Sequence, residues 1–217
     1  MQPDERDLSA NHPVSTPHEK PHGFWHGVKE WFQVIVIALV IALPVRLFIA
    51  EPFIVNGASM DPTFATGQFL VVDRLSYHFE QPKRGDVIVF EFPNPNHDPR
   101  EEGVYYIKRI IGLPGEQVVL QDGKVSIREA SSTKLIVIDE PYIDAEHASH
   151  DTAVLPPKKV LGPTEYFVMG DNRAQSSDSR VWGVLDRHLI IGRPVVRLTP
   201  LTAISLYPGE YNETSAK

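Results

Sequence analysis

Two residues in this sequence have the types and settings that nucleophilic acyl chemistry needs. Lys108 stands in Val104-Tyr105-Tyr106-Ile107-Lys108-Arg109-Ile110-Ile111, a run that otherwise reads as a buried strand. Side chains alternate along a strand, so Val104, Tyr106, Lys108 and Ile110 share one face. Desolvation on an apolar face lowers a lysine's pKa and favours the neutral amine. A neutral amine accepts a proton, as an ordinary surface lysine at pH 7 does not. Ser59, in Gly57-Ala58-Ser59-Met60-Asp61-Pro62-Thr63, is the matching candidate nucleophile. Each residue also has a plainer reading. A strand lysine commonly sits at a sheet edge with its amine in water. A serine beside a glycine is commonly a turn or cap residue.

A third block, Gly170-Asp171-Asn172-Arg173-Ala174-Gln175-Ser176-Ser177-Asp178-Ser179-Arg180, is dense in hydrogen-bonding groups and follows the apolar run Tyr166–Met169. Such a block is either a solvated loop or a support that orients a lysine and braces a site with Asp–Arg pairs.

The elements that would position these groups are short. After residue 50 no long amphipathic helix is visible. Apolar runs at 68–72, 86–92, 117–120, 166–169 and 193–198 alternate with turn signals such as Lys83-Arg84-Gly85-Asp86, Leu113-Pro114-Gly115-Glu116 and Gln121-Asp122-Gly123-Lys124. The 19 Pro and 14 Gly punctuate these runs, as a mainly β, antiparallel domain requires. This catalytic-sized domain is expected over 51–208, with 128–163 as a possible insertion and 209–217 as a free tail. The absence of Cys excludes disulfides, thiol catalysis and cysteine-ligated metals. A net charge of -7 does not suggest a nucleic-acid surface.

Trp31 to Ala50 is a 20-residue stretch with one charge, Arg46. About 20 helical residues span a bilayer's hydrocarbon core. A transmembrane helix is therefore expected over 28–50, with Trp25 and Trp31 at the interface and Arg46 snorkelling near one end. Phe48-Ile49-Ala50 is a poor small-x-small site, which favours an uncleaved anchor over a removed leader. A buried core helix is the other reading. Residues 1–27 are expected to be a disordered, Pro-rich tail, placed in the cytoplasm by Arg6, Lys20 and Lys29.

The Ser-Met-x-Pro-Thr block at 59–63, the Lys-Arg-Ile-Ile-Gly-Leu-Pro-Gly block at 108–115 and the Gly-Asp-Asn-Arg…Ser-x-Asp-Ser-Arg block at 170–180 follow an apolar N-terminal segment in that order. Together they resemble the bacterial type I signal peptidases (leader peptidases), over the anchor and most of 51–205. The resemblance implies a single-pass enzyme of the bacterial plasma membrane with an extracytoplasmic β domain. It implies a serine endopeptidase with a Ser–Lys dyad that cuts signal peptides from exported preproteins after small-x-small sites, without metal or other cofactor. By matching positions, Ser59 resembles the nucleophile, Lys108 the general base and Ser176 the serine that orients the lysine. Asp178 and Arg180 resemble a bracing ion pair, and Asp171 and Arg173 scaffold residues. Phe53, Val55, Met60, Tyr106 and Ile107 resemble the walls of the substrate pockets. Many members carry a serine two residues before the nucleophile that helps bind the oxyanion. Here that position is Gly57, as in other members, which leaves the Ser59 N–H and a neighbouring amide or water for that task.

Two other readings share parts of the pattern. Self-cleaving repressors of the SOS type use Ser–Lys chemistry on a related β fold, but no basic helix-turn-helix pattern is present. A membrane-tethered β domain that binds extended peptides without cutting them would not need Ser59, Lys108 and Ser176 together. His147 and His150, near Asp144, Glu146 and Asp151, could be read as metal ligands, but in a polar loop they fit solvated surface better.

Overall fold

The computed structural model describes residues 24–44, 50–129, 132, 134–148 and 160–211. The chain divides into two units, Met1–Ala42 and Leu43–Lys217. Helix α1 spans Phe24–Pro44, all but its last two residues in the first unit. The side chains from Val28 to Ala42 are exposed all round. Among the described residues no helix is long and apolar enough to cross a membrane. The helix differs from the expected span of 28–50 at both ends. Residues 24–27, read as tail, form its first turn; residues 1–23, the rest of that tail, lie outside the described residues. At the other end, the expected 28–50 span does not hold: Pro44 is its last residue, residues 45–49 lie outside the described residues, and Ala50 pairs with Asp73 as the first residue of a strand.

The second unit follows as β1 (Ala50–Ile54), β2 (Phe69–Asp73), α2 (Ser76–Phe79), β3 (Val87–Glu91), β4 (Tyr105–Gly112), β5 (Glu116–Gln121), β6 (Lys124–Glu129), β7 (Ile136–Val137), β8 (Glu165–Met169), α3 (Ser179–Trp182), β9 (Leu185–Asp186), β10 (Ile190–Arg197) and β11 (Ser205–Leu206). Eight strands form one sheet in the order β1-β2-β10-β3-β4-β8-β9, with β11 on β10, and β5-β6-β7 form a second. Every pairing in both sheets is antiparallel, as the alternation and turn signals require. Strand β10 joins two parts of the large sheet. Its C-terminal half pairs with β2 and its N-terminal half with β3, with register shifts on both sides. Such bulges bend a strand and turn a sheet corner.

Strand β4 lies inside the sheet, between β3 and β8, with Lys108 opposite Ile88. Tyr77, Ile88, Phe90, Ile110, Tyr166, Val168 and Leu185 pack on one side of this region. Ile111, Val118, Val125, Ile127, Leu161, Phe167 and Met169 fill the space between the two sheets. Burial on both faces explains why β3 reads as a continuous apolar run rather than strict alternation.

The region 128–163 is partly regular. It supplies the end of β6, the short β7, turns through 140–147 and a bridge from Val160 to Gln117, while 149–159 lies outside the described residues. The C-terminal tail also begins later than expected. The Gly209 carbonyl accepts a hydrogen bond from buried Arg109, and the Tyr211 ring packs against Tyr142 at 5.5 Å. These contacts hold 209–211 on the domain; 212–217 lie outside the described residues.

Candidate active site

Ser59 sits in the turn that follows β1, where Gly57 takes φ +103, a backbone conformation open to glycine at little cost. The Gly57 N–H donates to Thr66 Oγ1 at 3.1 Å, which closes this loop on itself. Lys108 reaches Ser59 from the middle of β4, and Nζ and Oγ are hydrogen-bonded at 2.7 Å. Nζ also donates to the Ile107 carbonyl at 2.8 Å and lies 5.3 Å from the Tyr106 ring centre. Lys108 is only 3% exposed, so the edge-strand alternative does not apply. Burial pushes the Lys108 amine down to about 8, and the charges of Asp178 and Asp171 oppose that fall without cancelling it. At pH 7 about one molecule in ten would then carry the neutral amine.

A cleft of about 360 Å³ opens at this pair. Its walls come from residues 53–59 on one side and 104–108 on the other, with Leu70, Val89, Gln175 and Ser177 completing it. Phe53, Val55, Gly57, Tyr106 and Ile107 all line it. Phe53 and Tyr105 meet edge to face at 5.5 Å across it. The arrangement is a hydroxyl on a hydrogen-bonded, desolvated amine, facing an apolar groove wide enough for a short extended peptide.

Residues 28–199 match the family described as signal peptidase, peptidase S26. The chain belongs to the signal peptidase family. It is 36% identical over 196 residues to a protein of Synechocystis sp. named probable signal peptidase I-1, with 88% of each chain covered. It is also 36% identical over 169 residues to the signal peptidase I of Bacillus licheniformis, covering 75% of this chain and 84% of that one. A crystal structure of a signal peptidase I from Enterococcus faecalis aligns with a TM-score of 0.40 at 27% identity, over 52% of this chain and 97% of that chain. The protein is thus a hydrolase of the signal peptidase family.

Within this signal peptidase the third block packs directly behind Ser59. The Asn172 N–H donates to the Ser59 carbonyl at 3.1 Å. Gly170 lies so close that a Cβ there would collide with the Ser59 carbonyl and the Ser176 hydroxyl. Asp178 is fully buried. It accepts from Arg180 Nε and Nη2, both at 2.8 Å, and from the Gly170 N–H at 3.0 Å. Burial alone would raise the Asp178 carboxyl; its bonds to Arg180 and Gly170 overcome this and hold it below the usual carboxylate range.

Two expectations need correction. Met60 does not line the cleft. It is 0% exposed and packs with Val55, Phe64, Leu70 and Val87, because the turn after Ser59 directs the next side chain inward. Ser176 does not hydrogen-bond Lys108. Its buried hydroxyl meets no hydrogen-bond geometry, although it is near enough to Asp178 to help hold that carboxylate low. The lysine's second bond goes to Ile107 instead. Asp171 and Arg173 each find a partner outside the block. Asp171 is held by Arg109 at 2.6 and 2.8 Å and by Thr63 Oγ1 at 2.6 Å, while Arg173 pairs with Glu140.

Arg109, Thr63, Glu140 and Tyr142 are the supporting residues that the sequence reading did not single out. Arg109 adjoins Lys108, so its place in the motif was a signal. Glu140 and Tyr142 carried none, since they lie in the segment without clear strand patterning. Among the described residues no group of three His, Asp or Glu could hold a metal ion. His147 pairs with Asp144 at 2.5 Å, and His150 and Asp151 lie outside the described residues.

Proposed function

We propose that this chain removes N-terminal signal peptides from exported preproteins by a Ser–Lys mechanism. The observation that carries the reading is the 2.7 Å contact between Ser59 Oγ and a lysine amine that is 3% exposed. Neutral Lys108 takes the Ser59 proton as Oγ attacks the scissile carbonyl. The backbone N–H of Ser59 and a neighbouring donor receive the oxyanion; loss of one such donor typically slows turnover about 100- to 1,000-fold. Protonated Lys108 then gives its proton to the leaving amine. A water molecule, activated by the lysine returned to its neutral form, hydrolyses the acyl-enzyme. No metal or nucleotide takes part in these steps.

The cleft supports a specificity for small side chains near the cut. Phe53, Tyr106 and Ile107 crowd its wall, so residues such as alanine fit facing Ser59 and two positions before it, where alternate side chains of an extended peptide point the same way. The apolar run after Trp31 supports a single-pass anchor in the bacterial plasma membrane, with the β domain on the extracytoplasmic side, where signal-peptide cleavage sites emerge. Exposed apolar side chains along α1 fit contact with lipid.

The test is preprotein processing by the detergent-solubilised protein beside its Lys108→Ala variant, with the new N-terminus read by mass spectrometry. A single cut after a small-x-small site, absent in the variant, is expected. Equal cutting by both proteins would remove Lys108 from the mechanism. No cutting by either would move the weight to a peptide-binding role.

A further inference from the structure

We infer that Glu140 is a positioning residue for Ser59, acting through Arg173, an inference that rests on the Ser–Lys reading. Glu140 comes from the segment with no assigned role, 33 residues before its partner. Its carboxylate meets the Arg173 guanidinium with both oxygens, and the two side chains are only 10% and 4% exposed. Burial works against the Arg173 charge, and the Glu140 carboxylate outweighs it and holds the guanidinium above its ordinary value.

Arg173 is more than the end of an ion pair. Its Nε donates to the Gly170 carbonyl at 3.2 Å, and its own carbonyl accepts from Arg180 at 2.8 Å. It therefore ties together both ends of the loop that supports Ser59 from behind. The residue before it, Asn172, supplies the N–H on the Ser59 carbonyl, and Gly170 abuts the same carbonyl. Glu140 fixes the side of this loop that faces away from the cleft. Tyr142 fixes Glu140 in turn, by a hydroxyl hydrogen bond of 2.8 Å, while its ring lies 4.0 Å from the Arg109 guanidinium.

Removing the Glu140 charge leaves Arg173 buried without a counter-ion. The guanidinium then turns toward water and draws Asn172 and Gly170 with it. The Ser59 carbonyl loses its fixed partner, and Oγ shifts relative to Lys108. Misplacing a reacting group by about 1 Å can lower turnover about 100-fold. The cleft walls at 53–55 and 104–107 lie outside this loop, which reaches the cleft through Gln175 and Ser177, so substrate binding should change less than turnover.

The experiment compares the full chain with Glu140→Gln and Glu140→Asp on one preprotein. Turnover is normalised to the end-point amount of Ser59 that an acylating inhibitor labels. Glu140→Gln should lower kcat about 10- to 100-fold with KM within about twofold. Glu140→Asp keeps the charge on a shorter arm and should recover part of kcat. If kcat per labelled enzyme stays within twofold and only the unfolding midpoint falls, Glu140 is a stability pair and the inference is wrong. A rise in KM at constant kcat would also overturn it. Should Glu140→Gln fail to fold, Glu140→Asp carries the test by the same kcat criterion. Lys108→Ala run alongside separates the two failures, because turnover retained by that variant defeats the Ser–Lys reading itself.

Discussion

Lys108 and Arg109 are neighbours on β4, and the fold buries both cations in opposite ways. Arg109 is 1% exposed and its guanidinium makes four hydrogen bonds. Two bonds go to Asp171 and two to the carbonyls of Gly85 and Gly209, and the Tyr142 ring covers its face. Lys108 is buried almost as deeply, but it meets one hydroxyl and one carbonyl and touches no carboxylate. An arginine stays charged in any protein setting and needs its counter-ion. A lysine left without one gives up its proton more readily. One face of the strand thus holds a structural charge, and the other an amine free to move a proton.

The sharpest test of this contrast is a matched pair of substitutions to methionine. Lys108→Met should abolish preprotein processing, by at least about 10,000-fold, since base and nucleophile act as a unit. It should also stabilise the protein. The Lys108 amine falls from 10.5 in the unfolded chain to about 8 in the folded one. Above 10.5 both states are neutral and no cost arises. As pH falls from 10.5 to 8 the unfolded state binds the proton first, and stability declines. Below 8 the penalty is complete, at about 3 kcal/mol. Methionine removes it, so urea unfolding at pH 7 should show a higher midpoint. Arg109→Met should do the reverse, because it leaves Asp171 buried without its cation, a loss of about 3–5 kcal/mol. Equal signs for the two substitutions would break the comparison.

The same asymmetry predicts a pH profile. Only the neutral fraction of Lys108 can act as base. The value of kcat/KM should climb about 50-fold from pH 6 to pH 8 and level off above about pH 9, following a midpoint near the folded value of about 8. Initial rates at preprotein well below KM, which report the free enzyme, provide the check across this range. A flat profile would mean that a different group takes the serine proton.

The two neighbours were not equally legible. Lys108 stood out because a lone lysine among Val104, Tyr106 and Ile110 breaks an apolar face, and period-2 alternation is a local signal. The β class and most strands were legible for the same reason, together with turn residues such as Asp122-Gly123, which take φ of 50 and 74 in the β5–β6 hairpin. Partners were not. Arg109 finds Asp171 62 residues away and Gly209 100 residues away, and no local period announces such pairings. Met60 was placed at the cleft wall by the family resemblance, whereas the turn after Ser59 sends its side chain into the core. One bracing ion pair, Asp178 with Arg180, was expected in the third block, with Asp171 and Arg173 as scaffold residues. Only Asp178–Arg180 is local, and Asp171 and Arg173 each reach outside the block.

A smaller effect probes the wall behind Ser59. Gly170→Ala would push a methyl group against the Ser59 carbonyl and the Ser176 hydroxyl. Neither is a flexible chain end, so the loop must shift, and kcat should fall about tenfold or more with the pH midpoint unmoved. A moved midpoint in the steady-state profile would show that the methyl group had disturbed Lys108 rather than Ser59.

The smallest expected change tests whether the two faces of β4 are electrostatically separate. Thr63 Oγ1 donates to Asp171 at 2.6 Å, on the same carboxylate that Arg109 grips with its fork. Thr63→Val is close in shape and removes one hydrogen bond to a charged group, a loss of about 1–2 kcal/mol in urea unfolding. Arg109 still holds both carboxylate oxygens, so Asp171 keeps its place. That charge is among those that raise the Lys108 amine from a distance. With the charge in place, the midpoint of the pH–rate profile should stay where it is while stability falls. A shift of the midpoint toward lower pH would mean that the Asp171 carboxylate had moved away from Lys108, and that Arg109 alone does not isolate the structural face from the catalytic one.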